Sequence, residues 1–168
     1  ITTEGWKIVD TPPILFVGHS HQAPQVEPKN GGDLDLIFDF IPTKDSHTQL
    51  LLKTWLVSCL VPNIPHPIPV LHGPQGSGKT FMSLLLRRLI DPSSLETLSF
   101  PRNQAELAQI LSHHYVVPFD NIDMLQPWQS DALCRACTGE GISKRQLYTD
   151  DDDIIYSFRR CMILNGIN

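Results

Sequence analysis

The stretch Ile68-Pro-Val-Leu-His-Gly73-Pro-Gln-Gly-Ser-Gly-Lys79-Thr80 carries a short apolar run straight into a glycine-rich turn. It continues as Phe81-Met-Ser-Leu-Leu-Leu-Arg-Arg-Leu-Ile90, whose apolar residues recur at helical spacing and which Asp91-Pro92 closes. Strand, loop and helix in this order form the setting in which G-x-x-x-x-G-K-[ST] carries meaning. That pattern occurs once, over Gly73, Pro74, Gln75, Gly76, Ser77, Gly78, Lys79 and Thr80. Its glycines permit backbone angles closed to bulkier residues and let the chain approach a ligand closely. Successive loop N–H groups make a nest for an anion, and the N-terminal end of the following helix adds partial positive charge. Lys79 brings a full charge to the β- and γ-phosphates of a nucleotide, and the Thr80 hydroxyl is a ligand suited to magnesium. ATP and Mg2+ are therefore the expected cofactors.

Such a loop needs a second element, an acidic residue at the end of a neighbouring strand to hold the magnesium. Val116-Val-Pro-Phe119-Asp120 supplies it, with Asp120 as the expected carboxylate. The next residue is Asn121, where many nucleotide hydrolases of this kind carry a glutamate that polarises the attacking water. Asp123 is the nearest spare carboxylate and Asp131 the next, and the sequence does not choose between them. A third element is Asn165, at the end of the apolar run Cys161-Met-Ile-Leu164, where an amide can reach the γ-phosphate or the water. Asn-Gly is also a common turn, so the sequence alone leaves that role open.

The rest of the chain alternates strands with helices. Asp45-Ser46 reads as a helix start, with Leu50, Leu51, Trp55, Leu56 and Cys59 on one face and Pro62 as the stop. Gln104–Ser112 and Gln129–Cys137 read as helices. Tyr115–Phe119, Arg145–Tyr148, Ile154–Phe158 and Cys161–Leu164 read as strands. Such alternation predicts a mainly parallel sheet between helices, an α/β fold. Residues 1–44 read as a Pro- and Gly-rich, β-rich lead-in, with short strands at Trp6–Val9 and Ile14–Val17, and residues 45–168 as the main domain. The absence of an initial Met and the stop after a strand-like segment lead us to expect an excised domain.

Composition narrows the remaining classes. A chain of 168 residues suits one domain with a real core, and 41% hydrophobic with 18% charged residues indicates a globular protein. A formal net charge of −5 rules out a global basic field, so any nucleic-acid contact is local or supplied by an oligomer. The apolar run from Leu50 to Val61 is broken by Lys53, Thr54 and Ser58 and is too short to span a bilayer. No membrane partner is expected. Cys134 and Cys137 have C-x-x-C spacing, but no second pair completes a zinc site, and helical spacing alone makes them neighbours. Cys59, Cys134, Cys137 and Cys161 are expected to be reduced thiols in the cytoplasm. His19 and His21 form a loop pair without a clear metal pattern.

The succession GPQGSGKT, VVPFDN, DALCRACTGEGISKRQLYTDDDDIIYSFRR and CMILN resembles the AAA+ ATPases of superfamily 3 helicases, closest to primase-associated ATPases of phages, plasmids and integrated elements. The resemblance covers Ile68 to Asn165 and extends to the helix from Asp45. It implies a P-loop NTPase fold of AAA+ type, with a β-hairpin before the strand that carries the sensor. It makes Gly73–Thr80 the Walker A loop, Asp120 the Walker B carboxylate and Asn165 the sensor asparagine. Ile142 to Phe158 becomes a hairpin that grips single-stranded DNA in the channel of a homo-hexameric ring. The family's arginine finger follows the sensor strand; with the C-terminal lid it is expected beyond Asn168, or else the finger is lost. The expected hairpin tip, Thr149 to Asp153, departs from the family, because four carboxylates repel phosphate. Lys144 and Arg145, lower on the hairpin, are the candidate nucleic-acid contacts.

The sequence thus leads to an ATPase: Lys79, Asp120 and Asn165 carry the catalysis, Gly73 to Thr80 hold the nucleotide, and Thr80 and Asp120 hold magnesium. The expected use is as the motor of a helicase or replication ATPase of a mobile element. Two rivals remain. One is a non-hydrolysing ATP-binding interaction module, favoured by Asn121. The other is a small-molecule phosphotransferase, for which Asp91-Pro-Ser-Ser-Leu95 offers no arginine-bearing lid.

Overall fold

A computed structural model describes residues 5–11, 13, 15, 17–61, 63–140, 142–145, 153–156 and 159–166. The chain runs through a short 3-10 helix, Leu34–Asp39, then α1 (Ser46–Ser58), β1 (Val70–Leu71), α2 (Lys79–Ile90), β2 (Leu98–Ser99), α3 (Gln104–His113), β3 (Val116–Asp120), α4 (Pro127–Thr138), β4 (Ile142–Arg145), β5 (Asp153–Tyr156) and β6 (Cys161–Asn165). Four strands form one parallel sheet in the order β1-β6-β3-β2, and β4 pairs antiparallel with β5.

The two central strands are buried on both faces, and their alternation sorts the core into two layers. Val117 and Phe119 of β3, with Met162 and Leu164 of β6, pack against α3 and α4 through Leu107, Leu111, Leu133 and Ala136. Val116, Cys161 and Ile163 point the other way, to Leu86 of α2 and to Leu52, Trp55 and Leu56 of α1. Successive side chains of a strand alternate faces. A near-continuous apolar run such as Cys161–Leu164 therefore signals helices on both sides. Pro118 lies inside β3, but β2 pairs only with Phe119 and Asp120, so on that side the ladder begins past the proline.

Helix starts follow the local chemistry. The Asp45 carboxylate accepts from the Thr48 N–H (2.8 Å) and hydroxyl (2.6 Å). Asn103 accepts from the Glu106 N–H at 2.9 Å to open α3. At α4 the Gln126 N–H donates to the Gln129 side chain (2.8 Å), and Pro127 takes the first helical position, two residues before the expected start. Gly139, left-handed at φ 84°, ends that helix.

Several boundaries differ from the sequence reading. The strand expected over Ile68–His72 is reduced to Val70–Leu71, because β6 meets it only at Leu164 and Asn165. Leu98–Ser99 is a strand that sequence reasoning missed, as two paired residues carry no periodicity. The hairpin strand expected at Arg145–Tyr148 begins at Ile142 and is paired through Arg145, whose partner is Asp153. Residues 146–152, with the acidic tip, lie outside the described residues, as does Pro62. Among its described residues the lead-in forms no strand, and an isolated bridge joins Gln22 to Ser93. Trp6–Val9 forms no strand, and neither do Leu15 and Val17, while Ile14 and Phe16 lie outside the described residues. Leu15 and Val17 are exposed, and strand propensity reflects a half-buried surface that this segment does not find. Instead, residues 21–25 lie along the α2–β2 connection, where the His21 carbonyl accepts from the Ser94 N–H (2.8 Å) and the Ala23 N–H donates to the Pro92 carbonyl (3.0 Å).

Candidate functional site

The glycine-rich loop leaves β1 and enters α2 without a side-chain cap. Gly78 is the cap residue, left-handed at φ 82°, and it has no side chain to accept from the first-turn N–H groups. Those donors are left to whatever sits in the loop. Lys79 folds across the loop, its ammonium donating to the carbonyls of Gly73 (2.7 Å) and Pro74 (3.0 Å). The Lys79 carbonyl accepts from the Ser83 hydroxyl at 3.2 Å, inside the helix.

Three side chains from three elements meet beyond the loop. The Thr80 hydroxyl, at the start of α2, donates to Asp120 Oδ2 at the end of β3 (3.2 Å). The Asn165 amide, at the end of β6, donates to Asp120 Oδ1 (2.5 Å) and to the Thr80 oxygen (3.1 Å). The carboxylate accepts only, which fixes the amide nitrogen of Asn165 towards it. Strand order explains the meeting. Because β6 lies between β1 and β3, its last residue falls between the glycine-rich loop and Asp120. Asn165 is 1% exposed, and its Oδ1 is buried without a partner among the described residues. A buried amide oxygen left unpaired is costly and marks a place for a donor.

The loops next to this cluster are tightly fixed. Asn121 is left-handed (φ 57°), and its N–H donates to Asp120 Oδ1 at 2.9 Å. The Ile122 N–H donates to the Asn165 carbonyl at 3.0 Å, and the Gly166 N–H to the Leu71 carbonyl at 3.3 Å. Gly166, at φ 105°, lies so close that a Cβ there would stand 2.9 Å from the Ile122 nitrogen. Sequence reasoning did not single out Gly166, although the Asn165-Gly166 pair was the available signal.

A cavity of about 520 Å3 opens over the cluster, lined by Gly73, Gln75–Phe81, Asp120, Asn121, Asp123, Asn165 and Gly166. A second of about 720 Å3 flanks the other side of the loop, between Gly73, Pro74 and Gly76–Lys79 and a largely apolar wall of Phe40, Ile41, Pro42, Leu52, Leu71 and Met82. Sequence reasoning missed this wall because residues 40–42 precede α1 and carry no motif. The two carboxylates left open by the sequence separate here. Asp123 lines the first cavity, whereas Asp131 is ion-paired with Arg135 on the surface of α4. Lys144 and Arg145 lie on β4, away from the loop in sequence and in sheet.

Further bonds hold α2 against β3. At the C-terminal end of α2, Asp91 Oδ2 accepts from the N–H groups of Tyr115 (3.0 Å) and Val116 (2.9 Å). Arg87, 1% exposed, donates to the Glu96 carbonyl (3.1 Å) and meets His114 Nδ1 at 2.9 Å. Burial, with the neighbouring His21 and the Arg87 guanidinium, pushes the His114 imidazole down to about 4. His21 packs on His114 with ring centres 4.1 Å apart, and His19 on His113 at 4.5 Å. No group of three or more His, Cys, Asp or Glu placed to hold a metal ion occurs among the described residues, and Cys134 and Cys137 are free thiols. No described helix is long and apolar enough to cross a membrane.

One sequence-family model matches residues 34–168, from the 3-10 helix to the end of the chain: actinomycete integrative conjugative element replication protein. The chain belongs to that family. It is a replication-related protein of an integrative conjugative element, which agrees with the expected association with mobile-element replication. No curated protein matches the sequence. Within this replication-protein family the match includes the glycine-rich loop, Asp120 and Asn165, and it starts where the lead-in gives way to the 3-10 helix.

Proposed function

We propose that this replication protein is a P-loop ATPase of AAA+ type that binds ATP with magnesium and hydrolyses the β–γ bond. The observation that carries the reading is the convergence of Lys79, Thr80, Asp120 and Asn165 on one cavity at the N-terminal end of α2. The donor set fits the ligands. A hydroxyl and a carboxylate 3.2 Å apart are hard oxygen ligands of the kind magnesium takes, alongside its waters. The uncapped helix start and Lys79 suit a triphosphate. The apolar wall of Phe40, Ile41 and Met82 beside the loop suits a nucleobase.

In this reading the loop N–H groups and Lys79 bind the phosphates, and Thr80 and Asp120 hold the metal. Magnesium, when bound, offsets charge on the phosphoryl oxygens. Asn165 keeps the Asp120 carboxylate in place and offers its buried Oδ1 as an acceptor for a bound water. The resemblance to superfamily 3 helicases supports a helicase or replication motor that acts on single-stranded DNA as a homo-oligomer. Lys144 and Arg145 on β4 are its candidate DNA contacts. A second reading, an ATP-binding module without hydrolysis, is favoured by Asn121, a neutral amide lining the cavity immediately after Asp120.

Calorimetry with ATP and magnesium tests the proposal. The wild-type chain should bind, and Lys79→Ala should lose binding while its melting temperature holds. Equal affinity in the two proteins refutes it.

A further inference from the structure

If the site hydrolyses ATP, as proposed above, a group must take the proton of the attacking water. The position that would ordinarily supply it holds Asn121, which has no basic atom at neutral pH. Asp120 is committed: one oxygen accepts from Asn165 and from the Asn121 N–H, and the other from Thr80. Asn165 is an amide. Lys79 is a cation that donates to the loop carbonyls. Among the described residues that line the cavity, Asp123 is the one remaining carboxylate, and no described residue bonds or pairs with it.

Backbone geometry places Asp123 there. The left-handed Asn121 turns the chain sharply after β3. Ile122 is then anchored twice: its side chain is 4% exposed in the core, and its N–H is held by the Asn165 carbonyl. Gly166 packs directly against that anchor. Asp123 follows a fixed point, and it is solvent-exposed at the cavity rim rather than drawn into a surface ion pair. Asp131, the other spare carboxylate downstream, is tied to Arg135 and lines no part of the cavity.

We infer that Asp123 is the general base of the hydrolysis, taking over from the side chain that Asn121 lacks. Water oxygen bonds to the γ-phosphorus as the bond from that phosphorus to the β–γ bridging oxygen breaks. One water proton passes to the Asp123 carboxylate, and the electron pair of the broken bond leaves with ADP. The products are ADP and phosphate, and the proton is released to solvent when Asp123 is reset.

The test uses the full chain in excess over γ-labelled ATP with magnesium, following bound nucleotide and released phosphate over hours. Asp123→Asn should bind ATP with wild-type affinity, keep its melting temperature and retain intact ATP. Its cleavage rate should fall by about 10²- to 10⁴-fold, the range of general-base contributions. Asp123→Glu should recover part of the rate, and Asp131→Asn should cleave like wild type. Asp123→Asn cleaving at the wild-type rate overturns the inference and leaves ATP binding standing. So does a wild-type chain that binds ATP and never cleaves it. A wild-type chain that does not bind ATP overturns this inference together with the reading it rests on.

Discussion

Replacing Gly166 by Ala should damage both the fold and the site, and the size of the effect follows from the structure. Gly166 stands at φ 105°, where an L-residue is strained. Holding a side chain in such a region costs on the order of 1–3 kcal/mol. The new Cβ would lie 2.9 Å from the Ile122 nitrogen and 3.2 Å from Asn121 Cα, both backbone atoms that no rotamer change can clear. The 121–122 segment must retreat, and the Ile122 N–H bond to the Asn165 carbonyl, now 3.0 Å, is lost. That adds about 1 kcal/mol, the net worth of an ordinary hydrogen bond. Strain and lost bond together come to roughly 2–4 kcal/mol, or about 6–12 °C in melting temperature for a chain of this size. Gly31 is the control, because it is also left-handed at φ 82° but has open space where a Cβ would go. Gly31→Ala should cost about 1–2 kcal/mol from strain alone. Thermal and urea unfolding of the two variants, followed by ATP calorimetry, make the measurement. Gly166→Ala no less stable than Gly31→Ala, with unchanged ATP affinity, would refute the packing argument.

Stability should depend on pH through His114. Its folded value is near 4 against an ordinary 6.5, so the unfolded chain takes up the proton first. The stability is fully present above pH 6.5, declines as pH falls towards 4, and levels off below; the shift corresponds to about 3 kcal/mol. His66 and His113 are lowered by burial and act in the same direction. Urea midpoints at pH 7.5, 5.5 and 4.5 should show the decline, and His114→Gln should flatten it. Asp91→Ala removes the acceptor of two N–H groups at the start of β3 and should cost about 3 kcal/mol, since bonds to charged groups contribute more than neutral ones; a melting temperature within 2 °C of wild type would show that water replaces the carboxylate. Lys144→Ala with Arg145→Ala should weaken binding of a labelled single-stranded oligonucleotide, read by fluorescence anisotropy at two salt concentrations. Changing Asp150–Asp153 to asparagine should leave that binding equal or tighter, because fewer negative charges face the phosphates.

Elements whose causes are local can be read from the order of residues alone. The glycine-rich loop between strand and helix, the helix start at Asp45, and the apolar runs Val116–Phe119 and Cys161–Leu164 are written in neighbouring residues. The alternation of strands with helices along the chain already implied a mainly parallel sheet covered on both faces. Tertiary structure decided whatever depends on strand order. No local signal says that β6 enters between β1 and β3, yet that insertion turns Asn165 from one half of a common Asn-Gly turn into the partner of Thr80 and Asp120. The choice between Asp123 and Asp131 was closed to the sequence for the same reason. It rests on where the Asn121 turn and the Ile122 anchor deliver the next residue, and on Arg135, which engages Asp131 one helical turn away. The apolar wall at Phe40–Pro42 and the two-residue strand β2 likewise exist only through contacts with segments distant in the chain. Local propensity reports what a segment can do, and long-range packing selects which of its faces meets the site.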